Sequence, residues 1–266
     1  MRIALTIAGS DSGGGAGIQA DLKTFHQFGV FGTSAIVAIT AQNTRGVTGV
    51  HAVPVTMVEA QLAALAGDLP PDAVKTGMLA SAELVEAVAA GIARHGFPHY
   101  VCDPVMVATS GDRLLAADAV RVLRERLLPL AALVTPNLPE AALLVGDPVE
   151  TPADMERAGR ALRDLGASAA LVKGGHLAGD DVVDVLVTGE GSQRFSHRRV
   201  PTRSTHGTGC TLSAAVTAGL ALGRPLPRAV ADALEFVHQA LASAPGLGAG
   251  HGPLNHFAAA PAARAS

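Results

Sequence analysis

The sequence is poor in several residue types that mark particular classes of protein. Among its 266 residues there is no tryptophan, one tyrosine and only two cysteines, Cys102 and Cys210. Two widely separated cysteines do not form a disulfide framework, and no Cys-x-x-Cys pair indicates a zinc site. Because free thiols persist in a reducing compartment, we expect a cytoplasmic protein.

Long hydrophobic runs and concentrations of basic charge are also missing. No stretch approaches the roughly 18 consecutive apolar residues that a membrane span requires, so no membrane partner is expected. The short apolar run at 3–8 leads into a glycine-rich loop, which favours a first β-strand over a signal peptide. The net formal charge is -3 and no run of Lys and Arg stands out, so nothing indicates a nucleic-acid-binding surface.

Small and aliphatic residues dominate, and their pattern alternates short strands with helices. Strands are predicted at 3–8, 34–40, 73–76, 100–103, 132–135 and 169–173. Helices are predicted over 18–28, 56–67, 82–95, 116–128, 152–164, 209–222 and 227–243, with a short helix beginning after Asn137. Such repeated units predict an α/β fold in which helices cover both faces of a parallel sheet.

The period changes towards the end of the chain. The runs 182–187 and 193–198 flank Gly-Glu-Gly and predict an antiparallel hairpin, which could support a homodimer. No interdomain linker or internal repeat is visible, so we expect a single domain over 1–257. The last residues, 258–266, are expected to be a disordered tail.

The loops that follow the predicted strands are chemically unusual. In a parallel sheet, ligands bind at the carboxyl ends of the strands. The loops at that edge read GSDSGGGAG (9–17), AQNT (41–44), KTGM (75–78), DPVM (103–106), TPNLPE (135–140) and KGGH (173–176). Packing alone does not explain polar residues and glycines after every strand, so the sequence predicts a ligand site at this edge.

The segment Thr-His-Gly-Thr-Gly-Cys at 205–210 precedes an apolar helix. Its glycines permit a sharp turn, and the N–H groups and dipole of the following helix can hold a phosphate or an oxyanion. The alternative is an ordinary junction between loop and helix. Cys210 falls in the first helical turn, where a thiol pKa is lowered, so it is either a base or nucleophile or a packed residue. Cys102 falls in a predicted strand and is expected in the core.

Two common nucleotide motifs are absent. The P-loop pattern does not occur, and the glycine cluster at 13–17 has Ile18 where the dinucleotide fingerprint needs its third glycine. Asp21, one turn into the following helix, could reach a ligand bound near these glycines or could be solvated. Asp103 and Glu140 are carboxylates that, near a polyphosphate, suggest Mg²⁺.

Taken together, these segments resemble the ribokinase-like kinases, and within them the hydroxymethylpyrimidine phosphate kinases of thiamine biosynthesis. The matching segments occur in the family's order at 8–25, 38–44, 74–79, 103–115, 135–141, 172–176, 205–210 and 250–257. The resemblance implies a three-layer α/β/α fold with a mainly parallel sheet. It also implies that ATP and Mg²⁺ are used. Thr109 departs from the lysine expected in many relatives, which puts a basic contact to the substrate phosphate in doubt.

The resemblance also implies roles for individual residues. The positions that line the family's pyrimidine pocket are Gly9, Asp21, Gln42, Met78 and Val105, of which Asp21 and Gln42 would hydrogen-bond the aminopyrimidine. The positions near the phosphates, the metal and the nucleotide are Asp103, Asn137, Glu140, Lys173 and Thr205, with Asp103 and Glu140 nearest to Mg²⁺. The positions that form the anion hole are Gly207, Thr208, Gly209 and Cys210, with Cys210 where many sugar kinases have an aspartate base.

The implied activity is transfer of the ATP γ-phosphate to 4-amino-5-hydroxymethyl-2-methylpyrimidine and then to its monophosphate. One alternative is a pyridoxal or pyridoxine kinase of the same branch, which also phosphorylates a CH₂OH group on a ring. Another is a non-catalytic sensor that binds a pyrimidine or a nucleotide, although the retention of every polar loop argues against it.

Overall fold

The computed structural model describes residues 1–106 and 117–261. The strands within these segments are β1 (Ile3–Asp11), β2 (Phe31–Asn43), β3 (Gly46–Ala52), β4 (Ala73–Thr76), β5 (Tyr100–Cys102), β6 (Leu133–Val134), β7 (Ala170–Val172), β8 (Asp181–Thr188) and β9 (Gly191–Arg198). The α-helices are α1 (Gly17–Gln27), α2 (Val55–Asp68), α3 (Ala82–His95), α4 (Ala117–Val122), α5 (Leu138–Val145), α6 (Pro152–Asp164), α7 (Thr208–Ala221) and α8 (Leu226–Ala242). Thr109 and residues 262–266 lie outside the described segments.

All of these strands form one sheet, in the order β3-β2-β1-β4-β5-β6-β7-β8-β9. The six strands from β2 to β7 in this order run parallel to one another. The strand β3 pairs antiparallel with β2 at one end, and the β8–β9 hairpin adds antiparallel strands at the other. The predicted mainly parallel sheet and its antiparallel hairpin are therefore confirmed.

Helices cover both faces of the sheet and create two hydrophobic cores. Alternate residues of a strand point to opposite faces, so Val101 joins a core with α1, α7 and α8. Its neighbour Cys102 is fully buried on the other side, among residues of α2 to α6. Cys102 is thus a core residue, as the sequence predicted. Among the described residues, no helix combines the length and the apolarity needed to cross a membrane.

Local signals fix several helix ends. The hydroxyl of Ser81 accepts a hydrogen bond from Leu84 N, and Gly96 ends α3 with a φ of 62°. The predicted helix 116–128 is α-helical only as far as Val122; it continues as a π-helical turn and then as a 3₁₀ turn that contains Pro129. Proline lacks the N–H that an α-helix interior needs, so the regular helix does not continue through it.

One strand was not predicted. The strand β3 contains two glycines in seven residues and most of its residues are partly or fully exposed, so it shows no buried apolar alternation. It exists because the carboxyl end of β2 runs to Asn43, beyond the predicted limit of 40, and offers a free edge for pairing.

Candidate active site

The glycine loop after β1 is held by one buried carboxylate. Asp11 accepts hydrogen bonds from the backbone N–H groups of Gly13, Gly15 and Ala16 at 2.7, 3.0 and 2.8 Å. His206 Nε2 lies 2.8 Å from the same side chain. Burial would raise the pKa of Asp11, but the hydrogen bonds and His206 hold it below its ordinary value. Asp11 therefore ties the loop to the segment that begins α7.

The start of α7 is an open helix N-terminus that only glycine can form. Gly207 has a φ of 82°, and a Cβ on it would lie 1.8 Å from the carbonyl oxygen of Gly15. Within the described segments, the N–H groups of Gly209 and Cys210 have no hydrogen-bond acceptor. Such free donors of a first helical turn are where an anion binds. Thr208 closes the turn by donating its hydroxyl to Thr205 O at 2.8 Å.

A lysine and two carboxylates lie against this turn. Lys173 Nζ is 3.2 Å from Asp103 Oδ1 and 4.0 Å from Glu140 Oε2. A Cβ on Gly209 would lie 3.2 Å from the same nitrogen, so the absence of a side chain there lets the ammonium approach the turn. Ser213, one turn further along α7, donates a hydrogen bond to Asp103 Oδ2 at 3.1 Å. Strands β5 and β7 and helices α5 and α7 thus meet at one point.

The two carboxylates are in different electrostatic states. Burial would raise the pKa of Asp103, but the charges of Lys173 and Lys75 and the hydrogen bonds of Lys173 and Ser213 hold it below its ordinary value. The pKa of Glu140 is raised to about 7, mainly by burial; the charge of Lys173 lowers it, and the smaller effect of Asp103 raises it. Two close acidic groups, one of them only half-ionised at neutral pH, favour the arrival of a cation.

The residues present fit a magnesium ion that is held mainly by phosphates and water. Mg²⁺ is commonly bound through one or two carboxylates together with substrate phosphates. Asp103 and Glu140 supply such a pair, whereas the described segments contain no cluster of three or more His, Cys, Asp or Glu side chains. Asn137 caps α5: its side chain accepts from Glu140 N at 2.9 Å, and Asn137 N donates to Glu140 Oε2 at 2.8 Å. The predicted cap is confirmed, and it orients Glu140.

The carboxylate of Asp21 is buried in an ion pair with Lys75. Its carboxylate is fully buried and accepts from Thr6 Oγ1 at 2.6 Å and from Lys75 Nζ at 2.8 Å. Burial raises the pKa of Asp21 even beside Lys75. No part of the carboxylate reaches the surface in this structure, and the expected hydrogen bond of Asp21 to an aminopyrimidine stays a prediction. The pairing of Lys75 with Asp21 was not predicted from the sequence. The available signal was the presence of a lysine within the short buried strand β4.

Cys210 also differs from its prediction. The thiol is half-buried, and burial raises its pKa from an ordinary 9.0 to about 12; the charges of Asp21 and Asp103 add to the rise and Lys75 opposes it. The expected lowering at a helix N-terminus is therefore wrong. Short-range dipole effects are smaller than the combined effect of burial and two nearby carboxylates.

The residues predicted to line a pyrimidine pocket come from adjacent strand ends. Gly9 N donates to Met78 O at 3.1 Å, and a Cβ on Gly9 would lie 2.8 Å from Met78 Cε, so these two residues are in contact. Gln42 follows an irregularity in the pairing of β2 with β3, and its Oε1 accepts from Thr40 Oγ1 at 3.2 Å. Gln42, Met78 and Val105 are all partly exposed, so each is available to a ligand.

The C-terminal segment returns to the site. His206 N donates to Gly252 O at 3.0 Å, and Thr205 Oγ1 lies 3.3 Å from His251 Nδ1. His251 N in turn donates to Thr44 O at 2.8 Å. The segment therefore joins the loop after β2 to the turn that begins α7, which explains why the motif at 250–257 accompanies the others.

A mainly parallel sheet, helices on both faces and a helix N-terminus open at the carboxyl edge define the class of ribokinase-like kinases. A solved structure described as an ADP complex of Bacillus subtilis pyridoxal kinase matches with a TM-score of 0.91 and 41% identity, over 97% of this chain and 98% of that one. The phosphomethylpyrimidine kinase of Clostridium difficile 630 is also 41% identical, with a TM-score of 0.81 over 90% and 99% of the two chains.

Sequence comparison gives the particular family. The phosphomethylpyrimidine kinase family model matches residues 11–255. A hydroxymethylpyrimidine/phosphomethylpyrimidine kinase of Rhizobium meliloti is 55% identical over 258 residues, which is 96% of this chain and 97% of that protein. The chain belongs to the phosphomethylpyrimidine kinase family.

Proposed function

We propose that this protein transfers the γ-phosphate of ATP to the hydroxymethyl group of 4-amino-5-hydroxymethyl-2-methylpyrimidine, and then adds a second phosphate to that product. The observation that carries this proposal is the contact of Lys173 with the open N-terminus of α7, beside Asp103 and Glu140. A migrating phosphoryl group needs positive charge and N–H donors, and this point supplies both.

In this proposal the turn from Gly207 to Cys210 binds the phosphoryl group during transfer. The free N–H groups of Gly209 and Cys210 would donate to its oxygens, and Lys173 would neutralise part of their charge. Thr205 would lie on the nucleotide side of the turn. Phosphoryl transfer demands positioning more than covalent chemistry, so backbone donors held by a rigid helix suit it.

Mg²⁺, when bound, would offset charge on the phosphates of ATP. Asp103 and Glu140 would hold it, largely through water, and Asn137 would keep Glu140 in place through the helix cap. Lys173 balances the two carboxylates and prevents them from repelling the phosphates.

The pyrimidine would bind where β1, β2, β4 and β5 end. Gly9 and Met78 would pack against the ring, Gln42 would hydrogen-bond its polar edge, and Val105 would line the side nearest to Asp103. Asp21 holds Lys75 beside this pocket, and its hydrogen bond to the ring remains part of the proposal.

A second candidate substrate is pyridoxal or pyridoxine. The observation in its favour is the similarity to Bacillus subtilis pyridoxal kinase, at 41% identity and a TM-score of 0.91. Both kinds of substrate present a primary hydroxyl on an aromatic nitrogen ring, so one pocket can present either to the same turn.

Mass analysis of reaction products tests these alternatives. Wild-type protein and a Lys173→Met variant are incubated with ATP, Mg²⁺ and one acceptor at a time: hydroxymethylpyrimidine, its monophosphate, pyridoxal, pyridoxine or ribose. We expect a monophosphate and a diphosphate from the first two acceptors, and far less product from the variant. Product from pyridoxal alone would assign the second function, and no product from any acceptor would indicate a non-catalytic binding protein.

We also propose that the protein acts in the cytoplasm as a homodimer. The presence of two unpaired cysteines among the described residues is compatible with a reducing compartment. The strand β9 forms an outer edge of the sheet, where a second copy could pair. Light scattering of wild-type protein would test the dimer.

A further inference from the structure

The loop between β7 and β8, residues 174–180, is held by a single arginine at the end of the hairpin. Arg199 Nε donates to Gly179 O at 2.9 Å, its Nη1 donates to Gly175 O at 2.9 Å, and its Nη2 donates to Leu177 O. Three alternate carbonyl groups of one loop therefore converge on one guanidinium. A planar group with five N–H donors can serve three acceptors at once, which an ammonium on a flexible stem cannot do in a fixed geometry.

The beginning of the same loop is fixed from the other strand of the hairpin. Gly174 N donates to the buried carboxylate of Asp184 at 2.9 Å, and a Cβ on Gly174 would lie 1.9 Å from Val183 O. The backbone that immediately follows Lys173 is thus pressed against β8, while the rest of the loop is gathered by Arg199. The hairpin holds the loop from both of its strands.

Along the chain, Arg199 lies between Lys173 and the turn that begins α7. Its backbone N–H donates to Asp180 O at 2.7 Å, which closes the loop at its far end. The chain then passes through 200–204 and reaches Thr205, where the turn that begins α7 starts. The contacts of Arg199 itself are all with the loop that follows Lys173, so a change at Arg199 would act on that loop first.

We infer that Arg199 is a positioning residue for the nucleotide: it fixes the loop at 174–180 and so holds Lys173 against the phosphate-binding turn. The inference depends on the proposed kinase function. Without Arg199 the three carbonyl groups lose their common donor and the loop loses its single conformation. The pyrimidine side is built on β1, β2, β4 and β5, and within the described segments its residues make no hydrogen bond or ion pair with this loop, so it should be unaffected.

Kinetics of three variants test the inference. Arg199→Ala removes the donor, Arg199→Lys keeps the charge without the fork, and Arg198→Ala is a matched control. Arg198 is the exposed neighbour, and its side chain has no hydrogen bond or ion pair within the described segments. We expect Arg199→Ala to raise the KM for ATP about tenfold while the pyrimidine KM changes less than about twofold. Arg199→Lys should restore only part of this loss, and Arg198→Ala should match wild type.

Hydrogen–deuterium exchange gives a readout that does not depend on activity. Amides at 174–180 should exchange faster in Arg199→Ala and remain as in wild type in Arg198→Ala, and the affinity for ADP measured by calorimetry should fall only in the Arg199 variants. An unchanged KM for ATP, or an equal rise of both KM values with faster exchange throughout the protein, would overturn the inference. If Arg199→Ala does not fold, the same comparisons with Arg199→Lys decide.

The outcome is separable from that of the proposed function. If wild-type protein phosphorylates no pyrimidine, the proposed function fails, and ADP affinity together with exchange at 174–180 still decides the role of Arg199.

Discussion

The ionisation of Cys210 gives the sharpest prediction, because the structure reverses what its position in the sequence suggests. Its pKa is raised to about 12 by burial and by the charges of Asp21 and Asp103. At pH 7.5 a thiol whose pKa is several units higher is almost entirely protonated. Phosphates that enter the site bring further negative charge and do not favour the thiolate. We therefore expect Cys210 to be a neutral thiol during turnover.

Ultraviolet absorbance of the thiolate measures this directly. The pKa of Cys102 is also raised to about 12 by burial, and these two are the only cysteines of the chain. Wild-type protein should consequently show no thiolate absorbance between neutral pH and about pH 10, where an ordinary cysteine is ionised. The difference between wild type and Cys210→Ala should be flat over this range.

The kinetic consequence follows from the same value. A positioned general base contributes about 10²–10⁴-fold, so Cys210→Ala should lose less than about 10²-fold in kcat/KM. The monophosphate, with a second pKa of about 6, needs no base, so a catalytic base at Cys210 would matter for the alcohol alone. Because the thiol is neutral, we expect a similar loss for both substrates. Cys210→Ser keeps a side chain of similar size, so it separates the loss of the thiol from the loss of side-chain volume. A thiolate that titrates near pH 8 and disappears in Cys210→Ala, with a steep loss for the alcohol alone, would refute this reasoning.

Three further changes have defined outcomes. Gln42→Ala should raise the pyrimidine KM and leave the ATP KM unchanged, since ring groups left unpaired cost about 1–3 kcal/mol; steady-state kinetics with each substrate varied measures this. Lys75→Met leaves a buried carboxylate without its partner and should lower the free energy of unfolding by about 3–5 kcal/mol in urea titrations at neutral pH. Burial already raises the pKa of Asp21, so this loss should shrink as the pH falls towards 4 and the carboxyl group becomes protonated. For wild type, the Mg²⁺ concentration needed for half-maximal rate should fall as pH rises through about 7, the pKa of Glu140, whereas Glu140→Gln should lack this dependence.

Each of these can fail in a recognisable way. An unchanged pyrimidine KM removes Gln42 from the pocket. A loss below about 1 kcal/mol in Lys75→Met would mean that water reaches Asp21 and screens it, contrary to its full burial. A Glu140→Gln variant with the same pH-dependent Mg²⁺ requirement as wild type would make that side chain a helix cap only.

Features set by neighbouring residues along the chain were predictable from the sequence. The end of α3 follows from Ser81 and Gly96, and the start of α5 follows from Asn137, because each cap satisfies backbone groups within its own turn. The order of strand, polar loop and helix is also a local pattern. It predicted the site at the carboxyl edge of the sheet, because the loops that follow parallel strands lie there. The contact of Lys173 with Gly209 then results from the meeting of loops that were each recognised separately.

What the sequence did not show depends on residues that are distant along the chain. Asp21 was expected either to reach a ligand or to be solvated, because nothing nearby in sequence reveals that Lys75, 54 residues away, pairs with it. The pKa of Cys210 was assigned from its own helix, whereas the dominant effect is burial, followed by the charges of Lys75, Asp21 and Asp103, which all lie far away along the chain. The strand β3 exists through pairing with β2 alone, so its composition gave no signal.

The link between Asp11 and His206 has a consequence for how the protein is made. These two side chains are 195 residues apart, and the backbone of Gly207 lies against that of Gly15. During synthesis the glycine loop emerges first, and its Asp11 lacks His206 until almost four-fifths of the chain has been made. A growing chain therefore cannot assemble a phosphate-transfer site, and it has no means of consuming ATP before its final helices arrive.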